Sequence, residues 1–336
     1  MGWIILLLVP SLSEGNWVPF VPGIRQALKP DVVATTYSEY SVDIDVETYG
    51  IEWKIKETDF MENSIGEEFA LLSFRHYAYT GEIGKPKLPM VTGVIEIPYG
   101  SQLRLEIKDT EYEEVPLKSL GIDKRIIPAF ASVPKIKGAV GTFILDKDIY
   151  SRDTYYPDKI ASIHIHEGTA RGHRLATIEF YPLQYNPVTG MIRYYKSIQA
   201  RIDFIGGDLE GTKKKINENY SRDWEEFIDR MVLNPDVFES KGVAPLPIYY
   251  DIFYSSDFSE AAESLAYWKK KKGFKIRMWD ATGWTASQID DTIDAQTPLA
   301  TYLVLIADPD ASNPLPASGT GSSSGDQTDL YYAETD

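Results

Sequence analysis

The stretch from Thr169 to Phe204 constrains the fold of this chain most. Apolar and polar side chains alternate over Leu175 to Phe180 and again over Ile192 to Phe204. This is the period of strands with two unlike faces. The residues between these runs form turns readily, because Pro187 presets φ and Gly190 permits a positive φ. The pattern predicts a β-hairpin and therefore an antiparallel sheet.

The region before this hairpin has the same strand period. Val42, Ile44 and Val46 alternate with polar residues, and turns rich in Gly and Pro recur without any helical periodicity. Short strands separated by such turns are typical of an antiparallel sandwich or barrel. We predict an all-β domain over residues 33–206.

The period changes beyond Pro247. Tyr249 to Tyr254 is predicted as a strand, Ser259 to Lys272 as a helix with Ser259 as its N-cap, Phe274 to Trp279 as a strand, and Thr285 to Ala295 as a helix. Tyr302 to Ala307 is a continuous apolar run, which is typical of a parallel strand buried on both faces. This β-α-β-α-β order predicts the start of a doubly wound parallel sheet over 248–336.

Residues 207–247 separate the two periodicities. Their first part is charged and aperiodic, with consecutive lysines at 213–215 that we expect to be exposed. Trp224, Phe227, Ile228 and Met231 then recur at helical spacing. We predict a linker that contains one short amphipathic helix.

Several motifs resemble the gingipain-type cysteine peptidases, the C25 group. Arg171-Gly-x-Arg174 followed by Pro-Leu-Gln-Tyr-Asn-Pro-Val-Thr-Gly at 182–190 resembles the propeptide domain of that group, and the Gly-x-Pro-x-x-Pro turn at 84–89 is similar to a second propeptide signature. Leu265-x-x-Trp268-Lys-x-x-x-Gly-Phe, the strand end from Leu303 to Asp308, and Thr328 to Ala333 resemble the opening of the catalytic domain.

The resemblance implies the N-terminal part of a secreted cysteine endopeptidase zymogen. It implies a signal peptide at 1–13, a β propeptide domain at 33–206 that inhibits the enzyme or aids its folding, a linker at 207–247, and an incomplete catalytic domain at 248–336. The catalytic histidine and cysteine of the group lie further downstream, so no catalytic residue is assigned and we expect the chain alone to be inactive. The implied partners are the chain's own catalytic domain and the protein or peptide substrates of the full-length enzyme.

Composition excludes several other classes of protein. The chain has no cysteine, which excludes disulfides and thiolate sites within it, and its net charge of −16 argues against nucleic acid and anionic membranes as partners. Trp3 to Val9 has the length of a signal h-region, with small residues at 11–13 for cleavage; a buried N-terminal strand is the alternative. Elsewhere no apolar run is long enough to span a bilayer. We therefore expect a secreted or cell-surface protein.

The resemblance also suggests how the propeptide inhibits. Arg171 or Arg174 would present a basic side chain to the specificity pocket of the enzyme. Equally, either arginine would form a buried ion pair within the β domain.

Candidate metal ligands are few. Asp308, Asp310, Asp326 and Asp329 would supply oxygen ligands to calcium, the one cofactor that the sequence suggests; the alternative is a loop of solvated acids. His164 and His166 share a strand face, and we expect a solvent-facing pair there rather than a metal site.

Maturation is expected to cut the chain between Asp208 and Pro247. Lys241 is the preferred site, and Arg222 and Arg230 are further candidates. Two rival functions remain open from the residues, a non-enzymatic secreted β-domain protein for adhesion or surface display and a free-standing inhibitor. A downstream Gly-His-Gly and cysteine would separate the peptidase from both.

Overall fold

The computed structural model describes residues 16–58, 61–133, 140–238, 247–308, 312–316, 318–319 and 327–328. Most regular structure there is β-strand in antiparallel sheets, with few helices. The strands before residue 206 are β1 (Asn16–Pro19), β2 (Asp31–Ser38), β3 (Ser41–Glu47), β4 (Gly50–Lys56), β5 (Phe69–Ser73), β6 (Val91–Ile97), β7 (Gln102–Pro116), β8 (Ala161–Ile165), β9 (Arg174–Phe180), β10 (Leu183–Asn186) and β11 (Met191–Ile205).

Strand β11 organises the largest sheet. Strand β7 pairs with it along its whole length, while β10 and then β3 occupy its other edge, and β2 extends the sheet beyond β3. The predicted alternation is confirmed: Ile198, Ala200 and Ile202 are buried and opposite the equally buried Val46, Ile44 and Val42 of β3. Strands β1, β4 and β5 form a separate three-stranded sheet.

The predicted hairpin is wrong in its first strand. Strand β9 pairs with β6 and β8 in another sheet, and the hairpin partner of β11 is the short β10. The chain changes sheets between Tyr181 and Pro182. The N–H of Tyr181 still donates to Ile160 O beside β8, whereas the carbonyl of Pro182 accepts from Tyr195 N–H of β11. Pro182 has no N–H to continue the ladder of β9, and this favours the break. The turn at 187–190 is confirmed, with Gly190 at φ 67°.

The β11 sheet, the β6–β9–β8 sheet and the β1–β4–β5 sheet all contribute to one hydrophobic core, the last of them through Ile51 and Leu72. The buried cluster contains Ile44 and Ile202 from the β11 sheet together with Ile95 and Ile178 from the β6–β9–β8 sheet. The alternating strands therefore bury their apolar sides against one another rather than against helices.

The helices are α1 (Lys147–Tyr150), α2 (Leu209–Glu218), α3 (Arg222–Met231), α4 (Ser259–Lys271) and α5 (Ala286–Asp294), with short 3₁₀ turns at Leu117–Leu120 and Ser256–Phe258. The amphipathic helix predicted around Trp224 to Met231 is confirmed as α3, but the aperiodic reading of the charged stretch before it is wrong, because α2 covers that stretch. Asp208 caps α2 by accepting from Gly211 N–H, and Thr212 and Ile216 are buried beneath it. Lys213, expected to be exposed, is partly covered and pairs with Glu39 at 2.5 Å.

The C-terminal elements form a parallel sheet. Strands β12 (Tyr249–Tyr254), β13 (Lys275–Asp280) and β14 (Tyr302–Ile306) lie in the order β13–β12–β14 and are all parallel. The N-cap of α4 is Phe258 rather than Ser259, because a 3₁₀ turn leads directly into the helix. Two-residue strands β15 (Ser318–Gly319) and β16 (Gln327–Thr328) pair antiparallel further on.

Candidate functional site: the Arg171 turn and its contacts

The segment that joins β8 to β9 contains a tight turn from Ala170 to His173, with the half-buried Arg171 and the buried Gly172 at its tip. Ala170 and His173 exchange backbone hydrogen bonds of 2.9 and 3.0 Å across it. Arg171 and Gly172 between them have φ of 55° and 89°, the combination of a type I′ two-residue turn. A side chain such as that of Arg171 in the left-handed region costs about 1–3 kcal/mol. The surrounding contacts must therefore hold the turn.

Helix α2 supports the turn at Gly172. A Cβ atom on Gly172 would lie 2.6 Å from Lys215 O, so a side chain has no room there. The hydroxyl of Tyr99 donates to Gly172 O at 3.0 Å. The backbone of the turn is thus fixed from both sides.

The side chain of Arg171 reaches the parallel-sheet part of the chain. Its Nη1 donates to Leu299 O at 3.1 Å and to Ala300 O at 2.6 Å. Trp224 of α3 contacts the same segment, because its Nε1–H donates to Thr301 O at 3.4 Å. Burial lowers the pKa of the Arg171 guanidinium, and the charge of Glu225 opposes that effect.

The segment that receives Arg171 is organised by Arg277. Arg277 forms a bidentate pair with the fully buried Asp251, with nitrogen–oxygen distances of 2.7 and 2.9 Å. Its Nη1 also donates to Gln296 Oε1 and to Pro298 O, each at 3.2 Å. Arg277 therefore ties the loop that ends in Leu299 and Ala300 to β12 and β13.

Behind the tip lies a buried charge cluster centred on His173. Its Nδ1 is 2.6 Å from Glu96 Oε1 of β6, and its Nε2 is 3.2 Å from Glu225 Oε1 of α3. Burial lowers the pKa of His173, but the hydrogen bonds to Glu225 and Glu96 outweigh burial and raise that pKa to about 9. Burial raises the pKa of Glu96, and the hydrogen bond from His173 opposes this.

The residues after α3 are also fastened to β6. The side-chain amide of Asn234 accepts from the backbone N–H of Glu96 and donates to its backbone carbonyl, both at 2.8 Å. These are the two hydrogen bonds that a neighbouring strand would make to Glu96. Leu233 N–H donates to Val94 O at 2.8 Å. Helix α3 is thus tied to β6 directly just beyond its C-terminal end, and through His173 in its N-terminal half.

The two arginines named by the sequence have different positions. Arg174 donates to Pro98 O at 2.9 Å and to Ser101 O at 3.2 Å, so it binds a loop of the β part. Arg171 instead binds the parallel-sheet part. The hydrogen bonds that the structure shows for both side chains go to carbonyl or hydroxyl oxygens.

Among the described residues, no group of three or more His, Asp or Glu side chains is placed to hold an ion, and only one of the four candidate aspartates lies in those ranges. His164 and His166 stack edge to face at 5.6 Å, and His166 Nε2 lies 2.8 Å from Thr177 Oγ1. Asp308 directly follows β14, whereas Asp310, Asp326 and Asp329 lie outside the described residues.

The processing and targeting candidates are only partly described. Arg222 is the first residue of α3, and the exposed Arg230 lies 3.6 Å from Glu226 on the same helix. Lys241 and the signal segment 1–13 lie outside the described residues. Within the described part, no helix is long and apolar enough to cross a membrane.

Sequence reasoning missed the four residues that fasten α3 and the turn, namely Glu96, His173, Glu225 and Asn234. One signal was available, because Glu96 stands in the apolar run Val94-Ile-Glu-Ile97. A carboxylate in a buried strand requires a partner. The identity of that partner has no local signal.

The chain is similar to a family model and to curated proteins. Residues 26–222 match the family model Propeptide_C25. Lys-gingipain of Porphyromonas gingivalis is 25% identical over 284 residues, which are 81% of this chain and 16% of that protein. Gingipain R2 of Porphyromonas gingivalis is 21% identical over 201 residues, 59% of this chain and 26% of that protein. The chain thus spans a small part of the length of these relatives.

Two solved structures are also similar. One, described as an insight into the zymogenic latency of gingipain K from Porphyromonas gingivalis, has a TM-score of 0.47 and 22% identity, and covers 57% of this chain and 99% of its own. The other is a complex of the pro- and mature domains of Porphyromonas gingivalis RgpB, with a TM-score of 0.47 and 18% identity, covering 62% of this chain and 99% of its own.

Proposed function

The chain belongs to the Propeptide_C25 family, and from this premise we propose that its β part is the inhibitory propeptide of a secreted gingipain-like cysteine peptidase zymogen. The family match covers more than half of the chain, from residue 26 to residue 222. It supports the zymogen over the rival of a surface or adhesion protein. The peptidase activity and its protein or peptide substrates belong to a longer precursor.

The propeptide unit in this proposal extends from β1 to Phe238, beyond the 33–206 range expected from periodicity. Ile216, Ile228 and Phe238 are each about as buried as the strand core. The cluster shared by the β11 sheet and the β6–β9–β8 sheet, to which the β1–β4–β5 sheet also contributes, supports a sandwich. The parallel order β13–β12–β14 with α4 and α5 supports the opening of a doubly wound catalytic domain.

The contact made by Arg171 carries the proposal that the two parts dock. Arg171 binds carbonyl oxygens that precede β14, at the edge where the parallel strands begin. In open α/β sheets the reacting groups lie at the opposite edge, where the strands end. We therefore assign Arg171 the role of an anchor, rather than that of a side chain in the specificity pocket.

Latency of the precursor tests this function. The chain is expressed with its native downstream sequence, and thiol-dependent peptide hydrolysis is measured before and after limited proteolysis. We expect hydrolysis to rise at least about tenfold on cleavage, and Arg171→Ala to raise the basal rate of the uncut precursor. Arg104→Ala, which removes an exposed arginine paired with Asp203, is the matched control. Full activity in the uncut precursor, or downstream sequence without a cysteine–histidine site, contradicts the proposal.

We also propose that maturation cleaves the chain after Phe238. Helices α2 and α3 are packed against the β part, which supports cleavage beyond them, with Lys241 as the preferred site. Limited trypsin digestion followed by N-terminal sequencing checks this. First cuts inside β2 to β11 contradict it.

A further inference from the structure

Three elements that are distant in sequence meet at His173. Glu96 lies on β6, Glu225 on α3, and His173 at the end of the Arg171 turn. Each ring nitrogen of His173 faces a carboxylate oxygen, Nδ1 at 2.6 Å and Nε2 at 3.2 Å. A neutral imidazole has one N–H, whereas the imidazolium has two. Both contacts are therefore hydrogen bonds to ionised carboxylates only when His173 is protonated.

The two ends of α3 differ in what holds them. At its C-terminal end, Asn234 and Leu233 bond to the backbone of β6 through neutral groups that do not titrate. In its N-terminal half, Glu225 bonds to His173, and the adjacent Trp224 contacts Thr301. A change in the charge of His173 thus acts on the half of α3 nearest the Arg171 contact.

We propose that Glu96, His173 and Glu225 form a proton-operated latch, in which protonated His173 is the positioning residue that keeps the N-terminal half of α3 seated against the Arg171 turn. This inference rests on the proposed propeptide function and concerns the regulation of the same docking contact. Deprotonation transfers one proton from the ring to solvent and removes one of the two hydrogen bonds. The N-terminal half of α3 then loosens together with the adjoining turn that carries Ile228, three residues beyond Glu225, while Leu233 and Asn234 stay bonded to β6.

The charges around the ring determine the direction of the switch. Glu96 faces it from β6, Glu225 and Asp229 from α3, and Arg171 carries a positive charge at the tip. The carboxylates around the His173 ring outnumber the positively charged groups, and this favours the protonated ring over the neutral one. The folded pKa of about 9 lies above the ordinary 6.5. The contribution of the His173 proton is therefore fully present below pH 6.5 and is lost as pH rises through about 9. Acid that protonates Glu96, whose pKa burial raises, also removes the latch.

The first test is a titration of the histidine ring by nuclear magnetic resonance. The chain has four histidines, so the signal missing from a His173→Gln variant identifies His173. We expect this signal to titrate above pH 8 in the wild-type chain. Titration below pH 7.5 overturns the proposal. If His173→Gln does not fold, Glu225→Gln replaces it, because that side chain is partly exposed and its loss must lower the titration point.

The second test follows the opening of α3 directly. The chain has no cysteine, so Ile228→Cys introduces a single buried thiol under α3, and Ile216→Cys provides a matched reporter under α2. Thiol labelling is measured from pH 7 to pH 9.5, relative to an unfolded peptide at each pH. We expect protection at position 228 to fall at least about tenfold, which corresponds to about one pKa unit of coupling, and protection at 216 to stay within about twofold.

Two further variants separate the latch from general loosening. In the Ile228→Cys background, His173→Gln or Glu225→Gln should remove the pH dependence, whereas Glu226→Gln, which alters the exposed neighbour paired with Arg230, should retain it. Protection at 228 that does not change with pH overturns the latch. No peptidase activity is measured, so that outcome leaves the proposed latency untouched.

Discussion

The β part and the parallel-sheet part differ in how their apolar faces are covered. In the β part, one continuous cluster joins three sheets, and core side chains such as Ile44, Ile95 and Ile202 have no exposure. In the parallel-sheet part, the two sheet faces have separate small clusters, one containing Phe253 and Ile289 and the other containing Ile252 and Ala262. Every residue of β14 remains partly or largely exposed.

This difference has a topological cause. Antiparallel sheets that pack on each other cover their own apolar faces, whereas a parallel sheet needs helices on both faces and strands on both edges. Among the described residues, β13 and β14 each pair with β12 alone. We infer that the β part is stable by itself and that the parallel-sheet part depends on further contacts.

The largest effect is expected when the β part and the parallel-sheet part are produced as separate fragments. A fragment of residues 16–238 should melt cooperatively, because it contains the whole shared cluster. A fragment of residues 247–336 should not, because β14 would leave an apolar edge uncovered. Circular dichroism and calorimetry of both fragments check this. Cooperative melting of the second fragment would contradict the comparison.

Two matched truncations measure the same difference within the full chain. Ile202→Ala, at a site with no exposure, should lower the free energy of unfolding by about 4 kcal/mol, because the core cannot refill the cavity. Leu305→Ala should lower it by about 1–2 kcal/mol, since that side chain is already partly exposed. Urea unfolding of each part gives the two values. Equal losses would mean that both regions are packed alike.

A smaller effect is expected at the ion pair of the parallel-sheet part. Arg277→Met leaves Asp251 buried without its partner, and we expect a loss of about 2–3 kcal/mol, because Arg277 is 18% exposed and water replaces part of the pair. Asp251→Asn combined with Arg277→Met should recover part of this loss. Arg104→Met, which breaks an exposed pair, should cost about 0.5 kcal/mol or less. A loss from Arg277→Met no larger than this control would show that the pair does not order the loop.

Local periodicity was sufficient for much of the fold. The alternation in β3 and β11, the turn ending at Gly190, and the β-α-β-α-β order after Pro247 all follow from residues close in sequence. The partner of β9 does not, because strand pairing is decided by packing across the core. Helix α2 was hidden because its apolar stripe is narrow, with Thr212 and Ile216 buried among lysines.

The candidate site was predictable in only one part. The turn with Arg171 stood out through its motif, although the motif did not show that Arg171 and Arg174 bind different regions. The cluster behind it brings together positions 96, 173 and 225; Glu96 stands out by its apolar neighbours, but His173 and Glu225 have no such signal in the sequence. Only the pairing of β6 with β9 and the docking of α3 place the three side chains together.

The close fit of Gly172 against Lys215 divides the tip into a fixed and an exchangeable position. Any side chain at 172 would collide with the backbone of α2, whereas the side chain at 171 extends away from the β part to Leu299 and Ala300. Replacing Arg171 changes the reach and charge of the tip, while Tyr99 and α2 still contact the backbone at Gly172. Position 171 therefore determines which surface the turn can bind, whereas the glycine at position 172 keeps the turn packed against α2.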